Sequence, residues 1–168
     1  MRSDTEHKQQ APARVRCYVI TVSDTRTEET DKSGRAIVER LEGAGHLIVG
    51  RTIVRDDAEL VKATIARVLG QVHLDVIITT GGTGITSRDT TYEAVAALLE
   101  KTLPGFGELF RALSYQDIGS SAMMSRATAG LVAGRILVAL PGSEAAVRLA
   151  LDKLLLPELG HLVQQARK

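Results

Sequence analysis

Short β-branched apolar runs alternate along this chain with segments whose apolar residues recur at three- and four-residue spacing. That alternation narrows the possible architectures more than any other feature. Strands that alternate with helices imply right-handed βαβ crossovers and a mostly parallel sheet with helices on both faces. The strands are expected at Val15–Val22, Leu47–Val54, Asp75–Thr80, Thr128–Val132 and Arg135–Leu140. Val76-Ile77-Ile78 is apolar without interruption, the pattern of a strand buried on both faces.

The helices follow from their periodicity and their caps. Ser33 is the expected N-cap of a helix to about Ala44, with Ile37, Val38 and Leu41 on its inner face. Gly43 and Gly45 suit its end. Asp57 is the expected cap of a helix to about Val72, which buries Leu60, Val61, Ile65, Val68 and Leu69. Thr90 and Glu93 have the spacing of a capping box, opening a helix to about Lys101. Pro104 and Gly105 are expected to break the chain before a short helix over Phe106–Leu113. The last helix follows Ser143 and runs to Leu156, where Pro157 ends or kinks it.

The chain has 168 residues and a formal net charge of +1. That is the size of one domain with a core of its own, here residues 14–168, preceded by a polar tail over residues 1–13. A near-neutral balance gives no whole-chain field toward nucleic acid or an anionic membrane. No apolar run approaches the ~20 residues that span a bilayer. The lone cysteine, Cys17, lies in the apolar stretch Cys17-Tyr18-Val19-Ile20 and is expected to be buried and inert, consistent with a reducing cytoplasmic setting. The histidines His7, His46, His73 and His161 show no metal-ligand spacing.

In a sheet of this kind ligands bind beyond the carboxyl ends of the strands. Three segments lie there: Ser23-Asp24, Gly81 to Asp89, and Pro141-Gly142-Ser143. The strongest signal is Thr79-Thr80-Gly81-Gly82-Thr83-Gly84, followed by Arg88-Asp89. Glycines let backbone N–H groups approach an anion, and the next helix adds its positive N-terminal end. Neither the P-loop ending nor the Rossmann glycine spacing is present. A tight turn whose glycines serve backbone angles alone is the other reading. Asp89 either favours the helix dipole or helps hold Mg²⁺ beside phosphates, since Mg²⁺ is usually bound by one or two carboxylates plus phosphate oxygens. Asp56 is either an exposed loop residue or a second acid at the same sheet edge. Pro141-Gly142-Ser143 is an anion or ribose site or an ordinary strand-to-helix turn with Ser143 as cap. Arg126 is a phosphate clamp or a surface arginine.

Taken in order, several short motifs together resemble the MogA/MoaB family of molybdenum cofactor biosynthesis. They are Thr21-Val22-Ser23-Asp24, Asp31-Lys32-Ser33-Gly34, Val54-Arg55-Asp56-Asp57 and the Gly81 to Gly84 loop with Asp89. Pro104-Gly105-Phe106-Gly107-Glu108, Leu113-Ser114, Ser125-Arg126 and Pro141-Gly142-Ser143 complete the set. The resemblance covers nearly the whole domain. It implies a three-layer molybdopterin-binding α/β fold, assembled as a homotrimer or a hexamer. It also implies adenylylation of molybdopterin by Mg-ATP, with release of pyrophosphate. On that basis Asp56 and Asp89 are catalytic and hold Mg²⁺. Thr80, Gly81, Gly82, Thr83 and Gly84 hold nucleotide phosphates, and Pro141, Gly142 and Ser143 lie near the adenosine. Ser23, Ser33, Ser125 and Arg126 face the pterin. Arg55 stands where many adenylyltransferase members carry proline, and Gly105 through Ile118-Gly119 looks more like MoaB than MogA. A MoaB-type oligomer that binds or delivers molybdopterin without turnover is therefore the alternative. A CinA-like nucleotide pyrophosphatase is the third reading.

Overall fold

All the apolar runs expected as strands enter one six-stranded sheet. The computed structural model of the chain describes residues 11–168. The strands are β1 (Arg16–Val22), β2 (Leu47–Val54), β3 (Val76–Thr80), β4 (Lys101–Thr102), β5 (Thr128–Val132) and β6 (Arg135–Leu140). Their order across the sheet is β2-β1-β3-β6-β5-β4. The first four are parallel. β5 and β4 run antiparallel at one edge, so the sheet is mixed. β5 and β6 form a tight hairpin, and its turn places Ala133 and Gly134 at positive φ.

Side chains alternate across the pleat, and this divides the core in two. Cys17, Val19, Val76, Ile78, Ile136 and Val138 pack on one face, against Ile37, Leu41, Val147, Leu151, Leu155 and Leu159. Tyr18, Ile20, Val22, Ile77, Leu137 and Ala139 pack on the other, against Val61, Ile65, Val68, Ala94 and Val95. The three-layer α/β architecture expected from the alternation is thus present. Cys17 is fully buried, and loss of solvation pushes its thiol up to about 12.

The helices are α1 (Lys32–Gly43), α2 (Ala58–Leu69), α3 (Thr91–Leu98) and α4 (Pro104–Ile118). Then come α5 (Glu144–Ala150) and α6 (Leu156–Ala166), with a 3-10 stretch at Gly119–Met124. Asp57 caps α2 as expected, its carboxylate accepting from the Glu59 and Leu60 amides at 3.0 Å. α2 ends at Leu69, short of Val72, and Leu60, expected on its inner face, is exposed. Other local expectations also need correcting. The cap of α1 is Asp31, which accepts from the Gly34 amide at 3.0 Å, and Ser33 lies buried inside the helix. Thr90 and Glu93 form no capping box, because both side chains are drawn into contacts with Asp56 and Arg126. The helix from Thr91 stops at Leu98, since Lys101 and Thr102 pair with Leu131 and Gly130. Pro104 does not break the chain; it starts α4, where a missing N–H costs nothing, and the helix runs to Ile118.

Pro157 also fails to end the last helix, which continues to Ala166. The turn before it, Leu151–Leu155, widens to a π-helix, and the Leu156 N–H donates to Leu151 O. One extra residue in that turn accommodates the proline, whose ring would otherwise press on a carbonyl of the preceding turn. Of the tail expected over residues 1–13, residues 1–10 lie outside the described residues. Ala11 and Pro12 are half-buried, and a Cβ on Gly160 would stand 2.5 Å from the Pro12 carbonyl oxygen. Among the described residues no helix is long and apolar enough to cross a membrane.

Candidate functional site

The carboxyl ends of four parallel strands meet at one edge, and the three segments named from the sequence lie there together. The Ser23 amide donates to Val54 O at 2.9 Å, which ties the β1 loop to the end of β2. The Gly81 amide donates to Leu140 O at 2.9 Å, and the Thr80 hydroxyl donates to Pro141 O at 2.8 Å. Gly142 lies so near Gly81 that a Cβ there would stand 3.4 Å from the Gly81 Cα. Arg26 reaches across to Gly142 O at 3.5 Å.

The glycines of the central loop are needed for both angle and space. Gly81 and Gly82 have φ of +101° and +73°, where an L side chain is strained. A Cβ on Gly81 would collide with Val22 O, and one on Gly82 with the Thr91 hydroxyl. Thr83 is buried, and its carbonyl accepts from the Arg126 amide at 3.1 Å. The Gly82 and Thr83 amides donate to no acceptor among the described residues. The loop thus offers bare backbone beside the start of α3, which suits an anion.

Two aspartates flank this backbone. A Cβ on Gly82 would lie 3.3 Å from Asp56 Oδ1, and one on Gly84 would lie 2.7 Å from Asp89 Oδ2. Asp56 Oδ1 accepts from the Thr90 hydroxyl at 3.0 Å. Asp89 Oδ2 accepts from the Thr86 amide at 2.8 Å and from its hydroxyl at 2.6 Å, which closes the loop on itself. Burial alone would raise the Asp89 pKa. The Thr86 and Gly84 hydrogen bonds and the charge of Arg126 outweigh it and hold the carboxyl below its ordinary value. Asp89 is therefore ionised at neutral pH.

A third carboxylate stands at the same mouth. Asp24 Oδ1 accepts from the Asp56 amide at 3.1 Å, and Oδ2 pairs with Arg88 at 2.5 Å. The Arg88 hydrogen bond, with that of the Asp56 amide, holds Asp24 below the usual carboxylate range. Among the described residues no three or more His, Cys, Asp or Glu side chains form a metal cage. Carboxylate oxygens are hard donors of the kind Mg²⁺ takes, and Asp56 and Asp89 have that chemistry.

The remaining expected residues divide into three groups. Ser143 caps α5, accepting from the Ala146 amide at 3.2 Å, with Pro141 and Gly142 packed on the glycine loop. Ser23 folds the β1 loop, its hydroxyl accepting from the Thr25 and Arg26 amides at 3.2 and 3.1 Å. Ser33 is 1% exposed and turned toward Asp31, so it lies beneath this edge and presents no surface to a ligand. Arg126 is no loose surface arginine. It donates to Gly84 O at 2.9 Å and to Asp89 O at 3.1 Å, pairs with Glu93, and lies 5.0 Å from the Tyr92 ring centre. Beside it opens a cavity of about 410 Å³, lined by residues that include Tyr92, Glu108, Arg111 and Ser125. The Ser125 hydroxyl is buried on that side with no partner among the described residues.

No site role follows from the sequence for Asp24, Arg88 or Thr91, and Thr90 reads there only as a helix cap. Asp24 and Arg88 were each adjacent to an expected site residue, but only the fold brings them together from 64 positions apart.

Residues 18–161 match a family model described as a probable molybdopterin binding domain. The molybdenum cofactor biosynthesis protein B of Bacillus cereus is 55% identical over 161 residues, 95% of each chain. That of Bacillus subtilis is 52% identical, over 97% of this chain and 96% of its own. A crystal structure of a molybdenum cofactor biosynthesis protein B superposes with a TM-score of 0.90 at 53% identity, covering 94% of this chain and 98% of that one. The tungsten cofactor synthesizing protein MoaB from Pyrococcus furiosus superposes at 0.84 with 39% identity, covering 94% and 100%. A MogA structure superposes at 0.81 with 30% identity, covering 90% and 99%. With this agreement along nearly its whole length, the chain belongs to the MogA/MoaB family of molybdenum cofactor biosynthesis proteins.

Proposed function

We propose that this chain binds molybdopterin and Mg-ATP at the carboxyl edge of its sheet and adenylylates the pterin. A phosphate oxygen of molybdopterin forms a new bond to the α-phosphorus of ATP, and the bond from that phosphorus to pyrophosphate breaks. The nucleophile is already an anion, so the step needs no general base. Positioning and charge neutralisation carry the catalysis.

The observation that supports this reading most directly is the pair Asp56 and Asp89, set against the backbone of Gly82 and Gly84. Phosphates seated on that backbone would repel two carboxylates unless a cation lay between them. Mg²⁺, when bound, neutralises the negative charge that builds on the reacting oxygens. Asp56 and Asp89 hold that ion, and within the Gly81 to Gly84 loop the amides of Gly82 and Thr83 hold the phosphates, those of Gly81 and Gly84 being engaged by Leu140 O and Asp89. Pro141, Gly142 and Ser143 lie beside the adenosine. Ser125, with its unpartnered hydroxyl, and Arg126, on the wall of the adjoining cavity, face the pterin.

The test uses the full chain with molybdopterin, Mg²⁺ and ATP, following adenylylated pterin by chromatography. Asp89→Asn keeps an oxygen that can accept from Thr86 but loses the charge. Turnover is expected to fall on the order of 100-fold or more, with the fold retained. Undiminished turnover in that variant would sink the metal role of Asp89.

Binding without turnover is the second reading. It draws on the higher identity to proteins named molybdenum cofactor biosynthesis protein B, 55% against 30% for the MogA structure. Tight molybdopterin binding with no product in the same assay would decide for it.

A further inference from the structure

Among the described residues, the Arg88–Asp24 pair is the one charged bridge that crosses the mouth of this edge from the glycine loop to the β1 loop. Two side chains brace the glycine loop. Asp89 closes it through Thr86, and Arg126 holds the Gly84 and Asp89 carbonyls from behind. Arg88 reaches outward from it. Its side chain is 67% exposed and that of Asp24 is 38% exposed. An ion pair this open to solvent is weak and cheap to break. Asp24 also keeps a second task, because its other oxygen holds the Asp56 amide at 3.1 Å.

Resting on the function proposed above, we infer that Arg88 is a polyphosphate ligand held in reserve, and that Asp24 is its resident competitor. When a nucleotide polyphosphate enters the loop, Arg88 leaves Asp24 and turns onto phosphate oxygens. The guanidinium fork matches a phosphate face with two parallel hydrogen bonds, and several negative charges outbid one carboxylate. Asp24 stays bound to the Asp56 amide, so the aspartate beside the phosphates keeps its place during the exchange. Arg88 also sits in the field of Asp56 and Asp57. Its charge therefore offsets those acids at the mouth.

The exchange predicts opposite effects from the two halves of one ion pair. Inorganic tripolyphosphate with Mg²⁺, titrated calorimetrically into the full chain at fixed ionic strength, isolates the phosphate contacts from base and pterin. Arg88→Gln is expected to weaken tripolyphosphate binding about tenfold, one bidentate contact to a charged group. Asp24→Asn keeps a carbonyl oxygen for the Asp56 amide but releases Arg88. It is expected to tighten binding several-fold, and the double variant to behave as Arg88→Gln alone. A bridge that merely shapes the mouth would make both single variants weaker, or leave both unchanged. Either result overturns the exchange while leaving the adenylylation reading intact. A wild-type chain that binds no tripolyphosphate in the presence of Mg²⁺ overturns both, because the glycine loop is then no phosphate site.

Discussion

Asp75 shows how far one side chain can depart from what its neighbours in sequence suggest. It opens the segment expected as the third strand, yet it forms no part of the candidate site. Its side chain is 4% exposed at the amino edge of the sheet. There it accepts from the Arg16 backbone amide at 2.9 Å and pairs with Arg16 and Arg167 at 2.9 and 2.7 Å. Burial alone would raise its pKa, but these hydrogen bonds and charges outweigh it and hold the carboxyl at about 2. An unfolded aspartate titrates near ~3.9. The fold therefore gains from ionised Asp75 above about pH 4 and loses that gain as pH falls toward 2. Asp75→Asn should cost about 2–3 kcal/mol at pH 7, by the conversion of ~1.4 kcal/mol per pKa unit, and much less near pH 2. Denaturant titrations of both proteins at the two pH values measure the difference. A gap that persists at low pH would mean that packing, not charge, accounts for the loss.

Among the elements, α1 depends most on contacts distant in sequence. Asp31 caps it, but the same carboxylate accepts from the Thr21 hydroxyl at 2.6 Å and pairs with Arg51 at 2.6 Å, and it is fully buried. One residue thus binds the helix start to β1 and β2. A Cβ on Gly34 would run into this carboxylate, so the glycine at the third helical position is needed for space. Asp31→Ala strands a guanidinium and breaks a buried pair, a loss of about 3–5 kcal/mol. Ser33→Ala removes one long hydrogen bond of 3.4 Å and should cost about 1 kcal/mol or less. Urea denaturation of the two variants would separate the roles. Equal losses would return the cap to Ser33. The site elements follow the same rule, for Thr90 and Glu93 abandon local capping for tertiary partners across the edge.

Across the whole molecule, burial is graded from the sheet centre to the site. All five residues of β3 are buried, and β3 pairs on both sides, with β1 and β6. β2 is an edge strand with half-exposed side chains, and Ile85 to Arg88 are exposed. Hydrogen exchange should follow this gradient. The amides of Val76–Thr80 are expected to exchange only by global unfolding, and those of residues 85–88 first. Exchange in β3 as fast as in β2 would mean that the sheet opens from its centre. The glycine loop thus sets the least protected backbone on the most protected strand.

Much of this was legible in the sequence because period and punctuation are local properties. β-branched runs named five of the strands, helical spacing named the faces that pack on them, and the Gly81 to Gly84 loop with Asp56 and Asp89 marked the edge where they gather. Where competing partners sat far apart in the chain, only tertiary structure decided. Asp31 replaced Ser33 as cap because Thr21 and Arg51 converge on it. The two-residue β4 exists only because β5 pairs with it. The last helix passes Pro157 because the turn before it widens. Arg88 meets Asp24 because β1 and β3 are neighbours in the sheet. Short-range pattern specified which segments could be strand, helix or glycine turn. Which charge meets which depended on bringing distant segments within hydrogen-bonding reach, a geometry that no local spacing encodes.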